Sequence, residues 1–186
     1  MTVLYIILGI VAVLVVYLVT AYNGLVKLNE RVKSAWSGIT IQLKTRADLL
    51  PNLAEVVKGY AKHEKELLTD IAEARSSVMK AKTPAQASKA EASVQEALVK
   101  ALMITENYPE LKSNQNFLQL QGELSDLENK IQAARRAYNN GVTELNSKIM
   151  SFPLVLFGAF GFKSAEFFNV AEDEQKKIEK APELKF

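Results

Sequence analysis

LLPNLAEVVKGYAKHEKELL, residues 49–68, is apolar at helical spacing, with Pro51 near its front and the only histidine of the chain, His63, near its back. A proline disfavours helical geometry at the residue before it and cannot donate to the carbonyl four residues back, so a helix through Leu50 is expected to kink or to end. Asp48 is placed to cap a new helix with Pro51 in its first turn, where the missing N–H costs nothing. The absence of Gly, Ser or a loop around the proline argues instead for a kink. The choice sets the direction of everything downstream, because helices joined by short loops run antiparallel. A hairpin at Pro51 gives four helices and brings Ile149 back toward the start of the first; a kink gives three and leaves Ile149 at the far end.

The same period extends on both sides. Upstream, Leu28, Val32, Trp36, Ile39, Leu43, Ala47 and Leu50 recur every three or four residues, the pattern of an amphipathic helix. Downstream, Leu53, Val57, Tyr60, Leu67, Ile71, Ala74 and Val78 continue it. Thr83, Pro84, Ala85 and Gln86 form a capping box with proline at the first helical position, which starts a helix through Ala90, Val94, Ala97, Ala101 and Ile104. Pro109 ends it by forcing Tyr108 out of helical geometry. Ser113 or Asn114 then caps the best-defined helix, with a seam of Phe117, Leu120, Leu124, Leu127, Ile131, Ala134, Tyr138, Val142, Leu145 and Ile149 of coiled-coil character.

Before all of these stands an uncharged run from Val3 to Tyr22. Twenty helical residues reach about 30 Å, the thickness of the hydrocarbon layer, so the run predicts a single-pass transmembrane helix. A cleaved signal peptide is the competing reading, but the run exceeds the usual ~7–15 apolar residues and no Lys or Arg precedes it. Lys27, Arg31, Lys33, Lys44 and Arg46 follow it, which by the positive-inside rule places the body in the cytoplasm. The expected architecture is therefore all-α: an anchor over residues 1–23, an antiparallel bundle over 24–150, an apolar aromatic segment over 151–170 and a charged tail over 171–186. Residues 149–162 are too short to span and are broken by Pro153, so the aromatic segment is expected at the lipid interface, folded over the bundle, or buried in a second subunit.

Composition excludes several function classes. A net charge of +2 spread over 186 residues, with no basic block interleaved with aromatics, argues against a nucleic-acid partner. With no cysteine there are no disulfides, thiolate nucleophiles or thiolate metal sites. His63 begins a zinc-protease-like HEKEL run without the second histidine, and a lone histidine does not make a catalytic zinc site, so no metal and no cofactor are expected. Phosphate-loop, nucleophile-elbow and dinucleotide motifs do not occur.

The polar residues that stand out lie beside the seams. Gln121, Glu128 and Arg135 recur at intervals of seven on the last helix, and Arg46 and Asp48 mark the first. Such a line sets helix register, is a solvated flank, or forms a ligand site. Trp36, Phe152, Phe157, Phe160 and Phe162 are the candidate contact aromatics.

Taken together, YNGLV (22–26), Arg31, Trp36, QLKTRADLLPNL (42–53), Gly59 with Tyr60, His63 with Glu64, ENYPELK (106–112), ENKI (128–131), Arg135, Tyr138 with Asn139, and Phe152 with Pro153 resemble the LemA family. The likeness covers most of the chain from Tyr22 to Phe168; Ala47 departs from it, standing where a polar residue is expected. It implies a bacterial single-pass membrane protein with an antiparallel helical bundle, which favours a hairpin over a kink, and it implies no catalytic activity. The expected function is a membrane-anchored scaffold or adaptor that forms homo-oligomers. A regulatory partner of another membrane protein, such as an envelope-stress protease, is the second reading, and a hydrolase built on Glu106, His63 or Asp48 the third.

Overall fold

The structure, a computed structural model, describes residues 1–155 and 161–169. Every regular element among them is helical: α1 (Thr2–Tyr60), α2 (Lys65–Lys80), α3 (Pro84–Ile104), the single turn α4 (Pro109–Lys112) and α5 (Gln115–Met150). The expected all-α class with an apolar N-terminal helix is observed. Phe157, Phe160 and the charged tail over 171–186 lie outside the described residues.

Of the two alternatives at Pro51, the hairpin is not found there, and the helix continues through the proline but ends at Tyr60, short of what a count of three helices needs. The chain does not turn there: Pro51 lies inside α1, and the turn comes later, over residues 61–64. The reason is the seam around the proline. Leu50, Leu53 and Val57 are all buried, and this packing outweighs the one backbone hydrogen bond that proline removes. At the true turn, Ala61 donates to Val57, Glu64 to Ala61 and Lys65 to His63. Side chains hold it in place: the Tyr108 hydroxyl donates to Glu64 at 3.2 Å and the Asn114 amide donates to the Tyr60 oxygen at 2.9 Å.

The other boundaries follow the local chemistry. Thr83 Oγ1 accepts from the Gln86 N–H at 3.2 Å, and Gln86 reaches back to the Lys82 N–H at 2.9 Å, one residue further than the expected capping box. Of the two candidate caps for α5, Asn114 serves, its side chain accepting from the Phe117 N–H at 3.0 Å.

The chain divides into two compact units. The first comprises residues 1–37 and 137–165. Here α5 runs antiparallel to α1: Trp36 lies on Tyr138 with ring centroids 5.7 Å apart, and Tyr22 meets Phe162 edge-on at 5.5 Å. Gly141 sits where an added Cβ would stand 3.3 Å from Val32, so glycine allows the two backbones their close approach. After α5, Asn146 holds the returning chain through both its amide atoms, donating to the Ala165 carbonyl and accepting from its N–H. The apolar part of α1 in this unit is the one segment among the described residues long and apolar enough to cross a membrane, and none of it is buried within the protein.

The second unit comprises residues 38–136 with the described residues 166–169. Its core joins Leu50, Leu53 and Val57 of α1 to Leu67, Ile71 and Ala74 of α2, Val94, Ala97 and Ala101 of α3, Leu111 of α4, and Phe117 and Leu124 of α5. Ala47 is fully buried, which explains why this position carries an apolar residue. Phe168 is buried as well, beneath the guanidinium of Arg135 at 4.9 Å from its ring centre.

Candidate functional site: a buried arginine beside an apolar cavity

Arg46 belongs to the buried face of α1, in line with Ile39, Leu43, Leu50 and Leu53, and is only 2% exposed. A charge in that position requires partners. It has three, from two other helices: Nη1 donates to Glu91 of α3 and, at 2.6 Å, to Glu128 of α5, while Nη2 donates to Gln95 of α3 at 3.0 Å. Nε has no acceptor among the described residues. One cation with two carboxylates leaves the cluster with a formal charge of −1.

Beside this cluster is a cavity of about 270 Å³. Arg46, Gln95, Gln121, Ser125 and Glu128 form its polar part, and its apolar walls include Leu53, Leu98, Leu102, Phe117 and Leu124. The structure thus brings Arg46, Glu128 and Gln121 together. Asp48 is not with them; it faces Arg75 of α2 at 3.8 Å, both side chains about half exposed. Arg135 lies over Phe168, Trp36 and Phe162 belong to the first unit, and Phe152 is 84% exposed. The seven-residue line on α5 thus includes one residue in the ion cluster, one at the cavity and one at an aromatic contact.

Sequence reasoning missed Glu91 and Gln95. A signal for Glu91 was available, since it falls four residues after Ala87 and three before Val94, on the apolar face of α3. The residues proposed for a hydrolase show no convergence. Glu106 lines a groove with Glu64, Asp70, Lys100 and Asn107, to which neither His63 nor Asp48 contributes.

Two titrating contacts fasten this unit. The hydrogen bond from Lys100 to Asp70 at 2.7 Å, with the charges of Asp70 and Glu96, holds the Lys100 pKa above its usual 10.5 against an opposing desolvation. Tyr108 is raised above 10.0 by desolvation and by its bond to Glu64. A raised pKa in the folded state means stability that is complete below the unfolded value and lost as pH rises through the folded one. Thermal stability is therefore expected to decline as pH is raised beyond 10.0 through Tyr108 and further beyond 10.5 through Lys100, and Lys100→Met should flatten the later part of that decline. Melting followed by circular dichroism over an alkaline series measures both. The effect is small, because Lys100 is 41% exposed and its pairing is screened.

An all-helical chain with one exposed, membrane-length apolar segment and a three-helix ion cluster defines a class of small helical protein. The LemA family profile matches residues 35–186. The chain is similar to Protein LemA of Metamycoplasma hominis, with 29% identity over 162 residues, covering 85% of this chain and 71% of the relative. The chain belongs to the LemA family.

Proposed function

We infer that this protein is a scaffold or adaptor that self-associates at the bacterial membrane and works by binding, not by turnover. Residues 1–23 serve as its anchor. The body lies on the cytoplasmic side, because Lys27, Arg31, Lys33 and Lys44 follow the apolar run and are exposed. Arg46 is withdrawn from that count, since its charge is neutralised inside the body.

The observation that carries the reading is the Tyr22 to Phe162 contact. It sets Phe162 at the foot of the apolar run, and Met150, Phe152 and Val155 of the same unit are each exposed. An apolar surface of this kind is unfavourable on a solitary monomer in water. At the level of the lipid headgroups, aromatic side chains are at home, and a second copy of the chain anchored in the same bilayer brings an identical surface to meet it.

The test is the mass of the full-length protein, extracted gently and measured by size exclusion with light scattering. A defined multiple of the chain mass is expected, and it should fall toward the monomer with the pair Met150→Ser and Phe152→Ser. A monomer whose mass and membrane retention ignore the substitutions would sink the proposal. Co-purification of a stoichiometric second protein would shift the reading to the regulatory-partner alternative.

A further inference from the structure

We propose that the foot of the first unit is a docking surface for anionic phospholipid headgroups, with Lys27 and Lys163 as its cations. The proposal rests on residues 1–23 being an anchor and adds what that reading does not contain, a preference among lipids.

Charge is the first observation. Residues 1–37 and 137–165 carry five basic side chains, Lys27, Arg31, Lys33, Lys148 and Lys163, against two acidic ones, Glu30 and Glu144, a formal excess of +3. Both acids are engaged, Glu30 accepting from Lys33 at 2.7 Å and Glu144 from Lys148 at 2.9 Å. Lys27 and Arg31 stand four apart on one helix face, where like charges repel and an outside anion relieves the repulsion.

The second observation is level. Tyr22 closes the uncharged run, and the Phe162 ring meets it at 5.5 Å. Lys163 follows Phe162 directly and is exposed, so it sits where the hydrocarbon layer ends. Lys27, also exposed, is five residues beyond Tyr22 on α1, a rise of about 7.5 Å. Both therefore lie within the ~10 Å over which an exposed charge is felt at 0.1 M salt. Lys33 is about 16 Å beyond Tyr22, outside that reach.

The third observation is the apolar edge beneath them. Trp36 lies on Tyr138, and Gly141 comes against Val32; carried down the antiparallel pair, this register sets the exposed Met150 level with Asn23 and Gly24. Apolar surface thus ends where the basic residues begin, as at a headgroup boundary. Two exposed lysines on separate segments match a plane of charges, where each cation meets its own anion, and not a single enclosed phosphate.

The experiment places the full-length protein in nanodiscs of equal phosphatidylglycerol and phosphatidylcholine and counts the lipids of each kind retained by the released protein in native mass spectrometry. Phosphatidylglycerol is expected in at least about fivefold excess, the factor given by the ~1 kcal/mol that one basic side chain gains at an anionic surface. The pair Lys27→Gln and Lys163→Gln should bring the ratio close to one, and Lys33→Gln should leave it unchanged. Soluble glycerol phosphate, added at constant ionic strength, should not reduce the excess. Protein recovered outside the discs would overturn the anchor reading and the proposal with it. Protein seated in the discs with equal numbers of the two lipids would overturn the proposal alone. So would an excess that survives the double substitution in a protein of unchanged helicity, one lost equally with Lys33→Gln, or one abolished by glycerol phosphate.

Discussion

Arg46→Met is expected to destabilise the body by about 3–5 kcal/mol, the cost of breaking a buried ion pair by removing one partner. The substitution keeps most of the apolar stem and deletes the charge. The carboxylates of Glu91 and Glu128 then lose their shared cation, and Glu91 lies 7% exposed at a position water does not readily reach. Glu128 is better placed to recover, its side chain being 29% exposed. The double replacement Arg46→Met with Glu91→Met removes the buried charges on both sides and should restore most of the lost stability, as apolar replacements of buried pairs commonly do. Denaturation of the purified protein in mild detergent measures the single and double variants. A single variant as stable as the parent would mean that the cluster contributes nothing net to the folded state. A double variant worse than the single would mean that the network, not charge compensation, is what these residues supply.

Pro51→Ala carries the opposite sign. Proline in a helix interior is about 3 kcal/mol less favourable than alanine. Pro51 is exposed, so its replacement disturbs no core contact, and alanine restores a donor for the Ala47 carbonyl. The greater freedom of the unfolded chain offsets about 0.4–1 kcal/mol of this. A rise in the thermal midpoint is expected. A fall would show that the backbone geometry imposed by the ring is needed to seat Leu53 and Val57, both fully packed in the turn that follows.

The residues that were read correctly from sequence share one property: their roles are settled by neighbours within a turn or two. The α5 seam from Phe117 to Ile149 is buried at nearly all of its expected positions, with Ala134 only half-buried, and the Thr83 cap needs nothing beyond Gln86. Pro51 was harder because its local cost competes with burial of Leu50 and Leu53, and burial is a sum over partners on other helices. The turn at residues 61–64 has no proline and no glycine of its own. It is fixed by Tyr108 and Asn114, some fifty residues away, through bonds that no local pattern announces. The candidate site divides in the same way. Arg46 and Glu128 stood out by position, whereas their joining with Glu91 and Gln95 depends on the register of α1 against α3 and α5.

The chain has a single tryptophan, and Trp36 rests on Tyr138 inside the first unit. Its fluorescence therefore reports on one place in the molecule, the pairing of α1 with the end of α5. Circular dichroism, by contrast, averages over every helix. Following the same melt by both signals separates the events without any label: coincident curves mean that the chain unfolds in one cooperative step, and an early change in tryptophan emission means that the α1 and α5 pairing opens first. Because the protein has no cysteine, a thiol introduced anywhere else can carry a second, independent optical probe.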